Sequence, residues 1–444
     1  MDLRNKICSV IGLGKTGVAT ANFLSRKGAA VSIMDNKSED QLAELASKLL
    51  PGINIRYQTC EPHPDSDLIV ISPGVDIESD FLKDSRQNGI EIISEIELAN
   101  RFNSTPLIGI TGTNGKSTCT SLIGEILKSG GKKVQVGGNL GIPFISLLKE
   151  EAPDYRVLEI SSFQMEATDS FHPEIAIILN ITPDHLDRHE SFEQYAELKE
   201  KIYTNQTKND FLILNHDDPR TRVSGKNCPA QKIFFSVDHE LEMGVFINEG
   251  KIFARINQFE GEVISLHSLS KGLRFQTENV LPAVATALLL NIPLDAINKV
   301  LGNFEGLEHR LEWVCNKDGI DFINDSKGTN IGAACKSLNT FDRPIILIAG
   351  GKDKNADFSS LKTILKKKVK HLILIGETKP KFRSVLNGSF GYEESDTLED
   401  AVHKARDKAE KGDVVLLSPA CASFDMFKDY IDRGNKFKSI VNNL

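Results

Sequence analysis

A glycine-rich loop that ends in Gly-Lys-Ser constrains the fold of this chain more than any other feature of its sequence. The loop, Thr-Gly-Thr-Asn-Gly-Lys-Ser-Thr at residues 111–118, follows the apolar run Leu107–Thr111 and precedes a helical pattern. Backbone N–H groups of such a loop surround nucleotide phosphates, the lysine neutralises them, and a hydroxyl reaches Mg²⁺. The strict motif has glycine where Ile110 stands, so this loop is a shortened variant. The flanking patterns favour a phosphate loop over the alternative, an ordinary surface turn.

A second glycine motif, Gly-Leu-Gly-Lys-Thr-Gly at Gly12–Gly17, lies near the start of the chain. It follows the predicted strand Ile7–Ile11, and Asp35 ends the next predicted strand, about where an acid that binds a ribose hydroxyl would stand. The glycines allow a tight turn and a close approach of phosphate to the N-terminus of the following helix. The motif therefore predicts a nucleotide diphosphate without saying which one. A tight strand-to-helix turn without a ligand is the alternative.

Short apolar runs alternate with helical patterns along three stretches of the chain, which predicts parallel α/β construction. Polar segments at Asn100–Pro106 and Gly302–Glu308 separate the three stretches. Between about residues 211 and 270 the pattern changes to strand-like alternation, and the runs Val245–Ile247 and Ile252–Ala254 predict a hairpin. A length of 444 residues allows two to four domains, and three is the first estimate.

Charge and cysteine content exclude several classes of protein. The 53 Lys and Arg residues against 61 Asp and Glu residues give a net charge of −8, which argues against a protein that coats nucleic acid. The seven cysteines form no Cys-x-x-Cys pair, as is typical of a reduced intracellular protein. The N-terminus does not resemble a signal peptide, and the apolar stretch Val280–Leu290 is too short to cross a bilayer. We therefore expect a cytoplasmic protein with neither a membrane nor a nucleic-acid partner.

Two nucleotide-type motifs in separate domains distinguish the possible functions. A dehydrogenase would use only the first motif, and a simple kinase only the second. An ATP-consuming enzyme that acts on a nucleotide-linked substrate would use both. An NAD-dependent oxidoreductase is the alternative from another class of enzyme.

Residues that commonly bind metal ions follow two later predicted strands. Glu159 ends one strand, and Asp184 and His185 follow the next. The carboxyl ends of parallel strands meet at one edge of a sheet, so these side chains are expected near the phosphate loop, where they could hold Mg²⁺. Imidazole is an uncommon ligand of Mg²⁺, and spacing alone gives His185 an ordinary polar role or one at a helix start equally well.

Five sequence blocks together resemble the Mur ligase family. The loop at residues 111–118 is similar to the ATP loop of that family, and the blocks at residues 158–164, 180–188 and 324–330 resemble later family blocks. The block Leu-Ser-Pro-Ala-Cys-Ala-Ser-Phe-Asp at residues 417–425 points to the branch that adds D-glutamate. The blocks occur in order over nearly the whole chain.

The resemblance implies three α/β domains. These are a Rossmann-like N-terminal domain at residues 1–95 for the UDP-linked substrate, a central P-loop mononucleotide-binding domain at 96–302 with a small β-rich part for ATP, and a Rossmann-like C-terminal domain at 303–444 for the amino acid. The implied reaction is the ATP-dependent addition of D-glutamate to UDP-N-acetylmuramoyl-L-alanine through an acyl phosphate, in peptidoglycan precursor synthesis. Another Mur-type ligase or a folylpolyglutamate-type ligase is the nearest alternative. We expect a monomer.

The resemblance also implies a role for each matching position. Lys116 would contact the phosphates, Ser117 and Glu159 would hold one Mg²⁺, and His185 would help to hold a second. Lys199 matches a lysine that is carbamylated in the family, although its spacing alone predicts an exposed helix lysine. The further positions implied to contact ATP are Gly112, Thr113, Asn114, Gly115, Thr118, Asn279, Arg310, Asp325 and Lys327, with Glu278 standing where the family often has histidine.

The two other substrates have their own implied positions. Those for the UDP-linked substrate are Gly14, Lys15, Thr16, Asp35, Asn36, Lys37, Ser72, Pro73, Gly74 and Asn139. Those for D-glutamate are Thr329, Lys354, Ser423 and Tyr430, with the ammonium group of Lys354 suited to a carboxylate.

Overall fold

The computed structural model describes residues 1–148, 151–185, 188–353, 357–386 and 390–444. They form three β-sheets with helices packed against them, as the alternation of apolar runs and helical patterns predicts. No helix in these ranges is both long and apolar enough to span a bilayer.

The first sheet has five parallel strands in the order β3-β2-β1-β4-β5. Its central strands are buried on both faces, which explains their uninterrupted apolar sequences. The strands are β1 (Ile7–Ile11), β2 (Ala30–Asp35), β3 (Asn54–Tyr57), β4 (Leu68–Ile71) and β5 (Glu91–Ser94). The helices of this part are α1 (Lys15–Arg26), α2 (Glu39–Ala46), α3 (Lys83–Gln87) and α4 (Glu95–Arg101).

The second sheet has nine strands in the order β14-β13-β12-β11-β10-β9-β6-β8-β7. The strands from β7 to β12 in this order are parallel, and β12 and β13 form the predicted hairpin. The strands are β6 (Leu107–Thr111), β7 (Val134–Gly138), β8 (Tyr155–Glu159), β9 (Ile175–Ile178), β10 (Phe211–Asn215), β11 (Gln231–Ser236), β12 (Gly244–Asn248), β13 (Lys251–Ile256) and β14 (Phe259–Ser265). The helices are α5 (Lys116–Ser129), α6 (Phe144–Leu147), α7 (Ser162–Glu166) and α8 (Phe192–Glu200).

The third sheet has six strands in the order β15-β16-β20-β17-β18-β19, all parallel except β15. The strands are β15 (Glu312–Lys317), β16 (Ile320–Asn324), β17 (Ile345–Gly350), β18 (Val369–Ile375), β19 (Tyr392–Glu394) and β20 (Val414–Leu417). The remaining helices are α9 (Lys271–Arg274), α10 (Thr277–Leu289), α11 (Leu294–Asn303), α12 (Ile331–Asn339), α13 (Leu361–Lys368), α14 (Lys379–Leu386), α15 (Leu398–Lys408) and α16 (Tyr430–Asn442).

The chain divides into two compact units. The first comprises Met1–Val263 and Leu281–Val300, and therefore includes the first sheet and nearly all of the second. The second comprises Ile264–Val280 and Leu301–Leu444, with the third sheet. Three sheets agree with the predicted α/β class, and the domain limits at residues 95 and 302 stay predictions.

Two buried glutamates of α4 differ in the hydrogen bonds that they accept inside the first unit. Oε1 of Glu95 accepts a hydrogen bond from the backbone N–H of Ile145 at 2.6 Å, and its Oε2 is buried without a partner among the described residues. Burial raises the pKa of Glu95 to about 7. Burial also raises the pKa of Glu97, but hydrogen bonds from Ser170, Asp169 and Arg101 outweigh it, and the pKa is lowered. Only Glu95 is therefore favoured in its neutral form.

We expect Glu95→Gln to stabilise the protein at pH 8 and to change its stability little at pH 4.5. The folded-state pKa of Glu95 lies above its usual 4.5, so the folded state loses stability as pH rises from about 4.5 to about 7. Above that range the buried carboxylate costs about 3 kcal/mol, which the neutral amide avoids. Urea unfolding of both proteins at the two pH values measures the difference.

Glu97→Gln is the matched control from the same helix. It should destabilise the protein at pH 8, because the folded-state pKa of Glu97 is lowered and its hydrogen bonds favour the ionised form. Equal effects of Glu95→Gln at both pH values would contradict the assignment of a neutral buried acid.

Candidate functional site

The phosphate loop connects β6 to α5 and is braced by its own lysine. Gly115 precedes the helix with φ = +87°, a conformation that is costly for residues with a side chain. The ammonium group of Lys116 donates hydrogen bonds to the carbonyls of Gly112 at 2.7 Å and Thr113 at 2.9 Å. The lysine therefore lies along the loop whose bound phosphates it is predicted to contact.

Residues after β9 hold the other side of the loop. The side-chain oxygen of Asn180 accepts a hydrogen bond from the backbone N–H of Asn114 at 2.9 Å. The side-chain NH₂ of Asn180 donates one to the backbone carbonyl of Asn114 at 3.2 Å. The hydroxyl of Thr113 contacts the carbonyl of Thr182 at 3.0 Å and the hydroxyl of Tyr195 at 3.1 Å. The carboxyl ends of β6 and β9 thus meet at one sheet edge, as the sequence predicts. The roles of Asn180 and Tyr195 were not anticipated.

Glu159, at the end of β8, joins the phosphate loop to a second loop. Its Oε2 accepts a hydrogen bond from the hydroxyl of Ser117 at 2.6 Å, and its Oε1 accepts one from the side-chain amide of Asn139 at 2.7 Å. The second loop approaches so closely that a Cβ atom on Gly138 would lie 2.3 Å from the carbonyl oxygen of Glu159. The sequence associated Asn139 with the UDP-linked substrate and did not predict this contact.

The Ser117–Glu159 pair fits a magnesium ion chemically. Both side chains are about 3% exposed and lie next to the phosphate loop. Hydroxyl and carboxylate oxygens are hard ligands of the type that Mg²⁺ prefers, together with phosphate oxygens of a nucleotide.

Lys199 is buried, so the spacing-based expectation of an exposed helix lysine is wrong. Its side chain is 2% exposed, and its ammonium group donates to the carbonyl of Gly112 at 2.9 Å and lies 4.5 Å from the ring centre of Tyr195. Burial and then the charge of Lys116 lower the pKa of Lys199 well below 10.5. Asp184 and Glu159 oppose this shift without cancelling it. The environment therefore favours the neutral amine.

Two histidines flank the ring of Phe163 near α8. His185 is 49% exposed, packs edge-on against that ring at 5.1 Å, and has Nε2 3.7 Å from the carboxylate of Asp184. His189, which the sequence reasoning missed, is buried, stacks on Phe163 at 5.0 Å and contacts the hydroxyl of Ser162 at 3.1 Å. The role of His185 as a metal ligand stays a prediction.

The first glycine motif forms the turn between β1 and α1. The carboxylate of Asp35 accepts hydrogen bonds from the backbone N–H groups of Leu13 at 2.8 Å and Lys37 at 3.0 Å, so it shapes the turn itself. The hydroxyl of Ser72 donates to the carbonyl of Gly12 at 3.1 Å. The other predicted positions around this turn are exposed or half-buried: Gly14, Lys15, Thr16, Asn36, Lys37, Pro73 and Gly74.

One contact joins this turn to the loop beside Glu159. The ammonium group of Lys15 donates a hydrogen bond to the carbonyl of Gly141, two residues after Asn139. Hydrogen bonds therefore connect four parts of the first unit in a continuous series: the turn, the loop at residues 137–141, Glu159 and the phosphate loop.

The second unit brings two predicted blocks together around Asp325. Asp325 follows β16, and its carboxylate accepts hydrogen bonds from the hydroxyls of Ser337 at 2.6 Å and Ser418 at 2.9 Å and from the N–H of Leu311 at 3.2 Å. Burial raises the pKa of Asp325 to about 6. Because β16 and β20 are parallel neighbours, residues that follow them share one sheet edge.

A buried arginine from α16 holds the same blocks. The guanidinium of Arg433 donates to the hydroxyl of Ser326 at 2.9 Å, to its carbonyl at 2.8 Å, and to the carbonyl of Cys421 at 3.3 Å. Sequence reasoning missed Arg433, because an arginine in a helical pattern is usually exposed at the surface. The ammonium group of Lys327 lies 4.1 Å from the ring centre of Tyr430, so two predicted site residues are brought together.

The remaining predicted residues of the second unit have these surroundings. Asn279 is buried and donates to the side chain of Gln276 at 3.4 Å, whose amide donates to the carbonyl of Arg310 at 3.2 Å. Glu278 forms an ion pair with Lys336. Thr329 is half-buried, Ser423 is buried, and Lys354 lies outside the described residues.

Family models match most of the chain. They are the Mur ligase MurD-like N-terminal domain at residues 6–94, the Mur ligase middle domain at 110–287, and the Mur ligase glutamate ligase domain at 309–421.

Curated relatives match the whole chain. It is 45% identical to the UDP-N-acetylmuramoylalanine–D-glutamate ligase of Koribacter versatilis over 100% of this chain and 99% of the relative. It is 43% identical to the ligase of the same name from Caldanaerobacter subterraneus over 100% of both.

Solved structures share the fold. A pseudomurein peptide ligase type C from Methanothermus fervidus has a TM-score of 0.59 at 22% identity, with 99% of this chain and 100% of that chain covered. The MurF ligase from Thermotoga maritima in complex with ADP has a TM-score of 0.60 at 16% identity, with 99% and 96% covered. The three-domain α/β fold predicted from the sequence is confirmed.

We expect Lys116→Ala to weaken ATP binding by about 10- to 100-fold, because it removes a charge-assisted contact to phosphate. Titration with ATP measures the affinity, and circular dichroism checks that the fold is kept. Lys128→Ala is the matched control, since Lys128 lies on the same helix and pairs with Glu125 at the surface. An ATP affinity within about twofold of the unaltered protein would remove Lys116 from the phosphate site.

Proposed function

This chain belongs to the Mur ligase family, and we propose how the residues of its site perform the reaction of the D-glutamate-adding branch. It is an ATP-dependent ligase that adds D-glutamate to UDP-N-acetylmuramoyl-L-alanine in peptidoglycan precursor synthesis. The observation that carries the proposed placement of substrates is the continuous series from the Gly12–Gly17 turn through Asn139 and Glu159 to the phosphate loop.

The series suggests how the two phosphorylated substrates are arranged. The diphosphate of the UDP-linked substrate lies at the turn before α1, where a Cβ on Gly14 would meet no atom within 4 Å, so there is space above the backbone. Lys15, Thr16, Asn36 and the Ser72–Gly74 turn surround it. The alanyl carboxylate then reaches along the 137–141 loop toward Glu159 and the phosphate loop.

The reaction proceeds in two steps. A carboxylate oxygen of the alanyl group attacks the γ-phosphorus of ATP, and ADP leaves. The amine of D-glutamate then attacks the carbonyl carbon of the acyl phosphate, a proton is lost, inorganic phosphate leaves and the amide remains. Lys116 and the N–H groups of the loop hold the phosphates in place for the first step.

Two sets of side chains would hold magnesium ions. Ser117 and Glu159 form the first set, and His185 with a carbamylated Lys199 forms the second. Bound Mg²⁺ supplies positive charge beside the phosphate oxygens. A carbamate is needed because the ammonium form of Lys199 would repel the cation.

The environment of Lys199 supports its carbamylation. Only a neutral amine attacks CO₂, and burial beside Lys116 lowers the pKa of Lys199 so that this form is accessible. The new N–C bond forms with the loss of one proton and leaves an anionic oxygen group. That anion would also be attracted to the ammonium group of Lys116, which donates a hydrogen bond to the same Gly112 carbonyl as Lys199 does.

Further residues are assigned to the nucleotide and the amino acid. Asn279, Arg310, Asp325 and Lys327 contact ATP, together with Thr113, Asn114 and Thr118. Thr329, Lys354, Ser423 and Tyr430 bind D-glutamate. The position of Lys327 over the ring of Tyr430 supports a shared role for these two residues.

We also propose that the enzyme is a cytoplasmic monomer. All seven cysteines are free, which agrees with a reducing compartment. Another Mur-type ligase remains the nearest alternative activity, and the curated relatives do not favour it.

Phosphate release should require ATP, Mg²⁺, UDP-N-acetylmuramoyl-L-alanine and D-glutamate together. A phosphate-release assay with L-glutamate, L-lysine or diaminopimelate in place of D-glutamate tests the specificity and should give background rates. Turnover with any of the three equal to that with D-glutamate would disprove the assigned amino acid.

The proposed carbamate should be visible by ¹³C NMR. Incubation with ¹³C-bicarbonate should give a carbamate resonance that Lys199→Ala removes. The variant should lose most of its activity and regain part of it with a short carboxylic acid, because that supplies the missing anion. Lys201→Ala is the matched control, since Lys201 follows α8 and donates to the carbonyl of Thr168. An unchanged resonance in Lys199→Ala, or full activity without added acid, would argue against the carbamate.

A further inference from the structure

Two histidines and an aspartate converge at the carboxyl ends of β10 and β11. His216 and Asp217 directly follow β10, and His239 lies three residues beyond the end of β11. One possible ligand atom from each side chain lies within 4.8 Å of the other two. Strand β9 lies between β10 and the strand that carries the phosphate loop, so this group is distinct from the residues assigned to ATP.

Backbone and hydroxyl contacts orient the aspartate and one histidine. The carboxylate of Asp217 accepts hydrogen bonds from the backbone N–H of Val237 at 2.7 Å and from the hydroxyl of Ser236. Its Oδ1 lies 3.0 Å from Nδ1 of His239, and the hydroxyl oxygen of Ser236 accepts the backbone N–H of His239 at 2.7 Å. Such outer contacts typically hold metal ligands in position.

The other histidine is held by β11. The backbone N–H of His216 donates to the carbonyl of Phe235 at 2.9 Å, and its ring packs edge-on against Phe234 with ring centres 6.0 Å apart. Nδ1 of His216 is buried and has no hydrogen-bond partner among the described residues. A buried polar atom without a partner costs free energy, so this imidazole keeps a bonding capacity that the protein fold does not satisfy.

We propose that His216, Asp217 and His239 form a binding site for a transition-metal dication such as Zn²⁺. Two imidazoles and one carboxylate suit zinc, cobalt or nickel, whereas Mg²⁺ and Ca²⁺ prefer oxygen ligands alone. Three protein ligands leave the fourth tetrahedral position to water. The bound ion would tie the loop after β10 to the loop after β11.

The geometry is close to that of such a site. Zinc–nitrogen bonds of about 2.0 to 2.1 Å place tetrahedral ligand atoms about 3.3 Å apart. The three side chains therefore need to approach one another by at most about 1.5 Å. His239 is 57% exposed, so its side chain has the freedom to make this movement.

Titration of the full chain with Co²⁺ tests the proposal, in the presence of ADP and excess Mg²⁺ to occupy the nucleotide site. Tetrahedral Co²⁺ has a characteristic visible absorption, and thiolate ligands add an intense near-ultraviolet band that would reveal binding to cysteine. We expect one equivalent to give the visible absorption without the thiolate band, and Zn²⁺ to displace it. His239→Gln and His216→Gln should each weaken Co²⁺ binding at least about tenfold.

His172→Gln is the matched control. Nε2 of the exposed His172 lies 2.8 Å from the carboxylate of the buried Asp210, and this pair resembles the site but is not part of a three-ligand group. The control should leave Co²⁺ affinity unchanged. His239→Gln alters an exposed side chain, so it tests the site even if His216→Gln disturbs folding. Unchanged affinity in His239→Gln, a thiolate band, or no binding at millimolar Co²⁺ would overturn the proposal.

Discussion

The carboxylate of Glu159 is the contact on which the site of the first unit depends. One of its oxygens accepts a hydrogen bond from the hydroxyl of Ser117 in the phosphate loop. The other accepts one from the side-chain amide of Asn139 in the neighbouring loop. A single side chain at a strand end thereby couples the nucleotide loop to the loop that contacts Lys15. Since catalysis of phosphoryl transfer is largely positioning and electrostatics, this coupling suits the proposed role of the site, in which a phosphoryl donor and its carboxylate acceptor must be held together.

A second constraint is the contact of two lysines, the buried Lys199 and the half-buried Lys116, with one carbonyl group. Lys116 and Lys199 both donate to Gly112, and the ring of Tyr195 covers the buried ammonium group. Two adjacent cations, one of them buried, are unfavourable unless the buried one loses its charge or reverses it. The proposed carbamylation would do the latter, because the Lys116 charge that disfavours an ammonium group at Lys199 would attract a carbamate there.

The sequence predicted the parts of the fold that depend on local pattern. The bounds of β1 and β6 agree with the apolar runs, and the strand ends converge as parallel sheets require. It could not predict the burial of Lys199, because helical spacing shows which residues share a face and not what packs against it. The contact between Tyr195 and Lys199 was predictable, since Tyr195 lies four residues before Lys199 on the same helix.

Other contacts depend on residues that are distant in sequence, and no local signal carries them. Arg433 is one example: its buried guanidinium joins the Ser326 and Cys421 segments. His189 is another, because only the packed structure shows its ring stacked on Phe163. Family resemblance marked the blocks that contain Ser326 and Cys421 and the block that ends just before His189, but it did not mark Arg433, and the physical reason for each contact comes from the fold.

The net charge of −8 opposes the binding of substrates that are themselves anionic, so recognition has to be local. The structure concentrates cations and helix N-termini where phosphates are proposed to bind, with Lys15 at the first turn and Lys116 at the second. Screening limits the repulsion from distant acidic residues to about 10 Å at ordinary ionic strength, whereas contacts within the loops are barely screened. A few short-range cations can therefore outweigh the overall negative charge at the proposed phosphate sites.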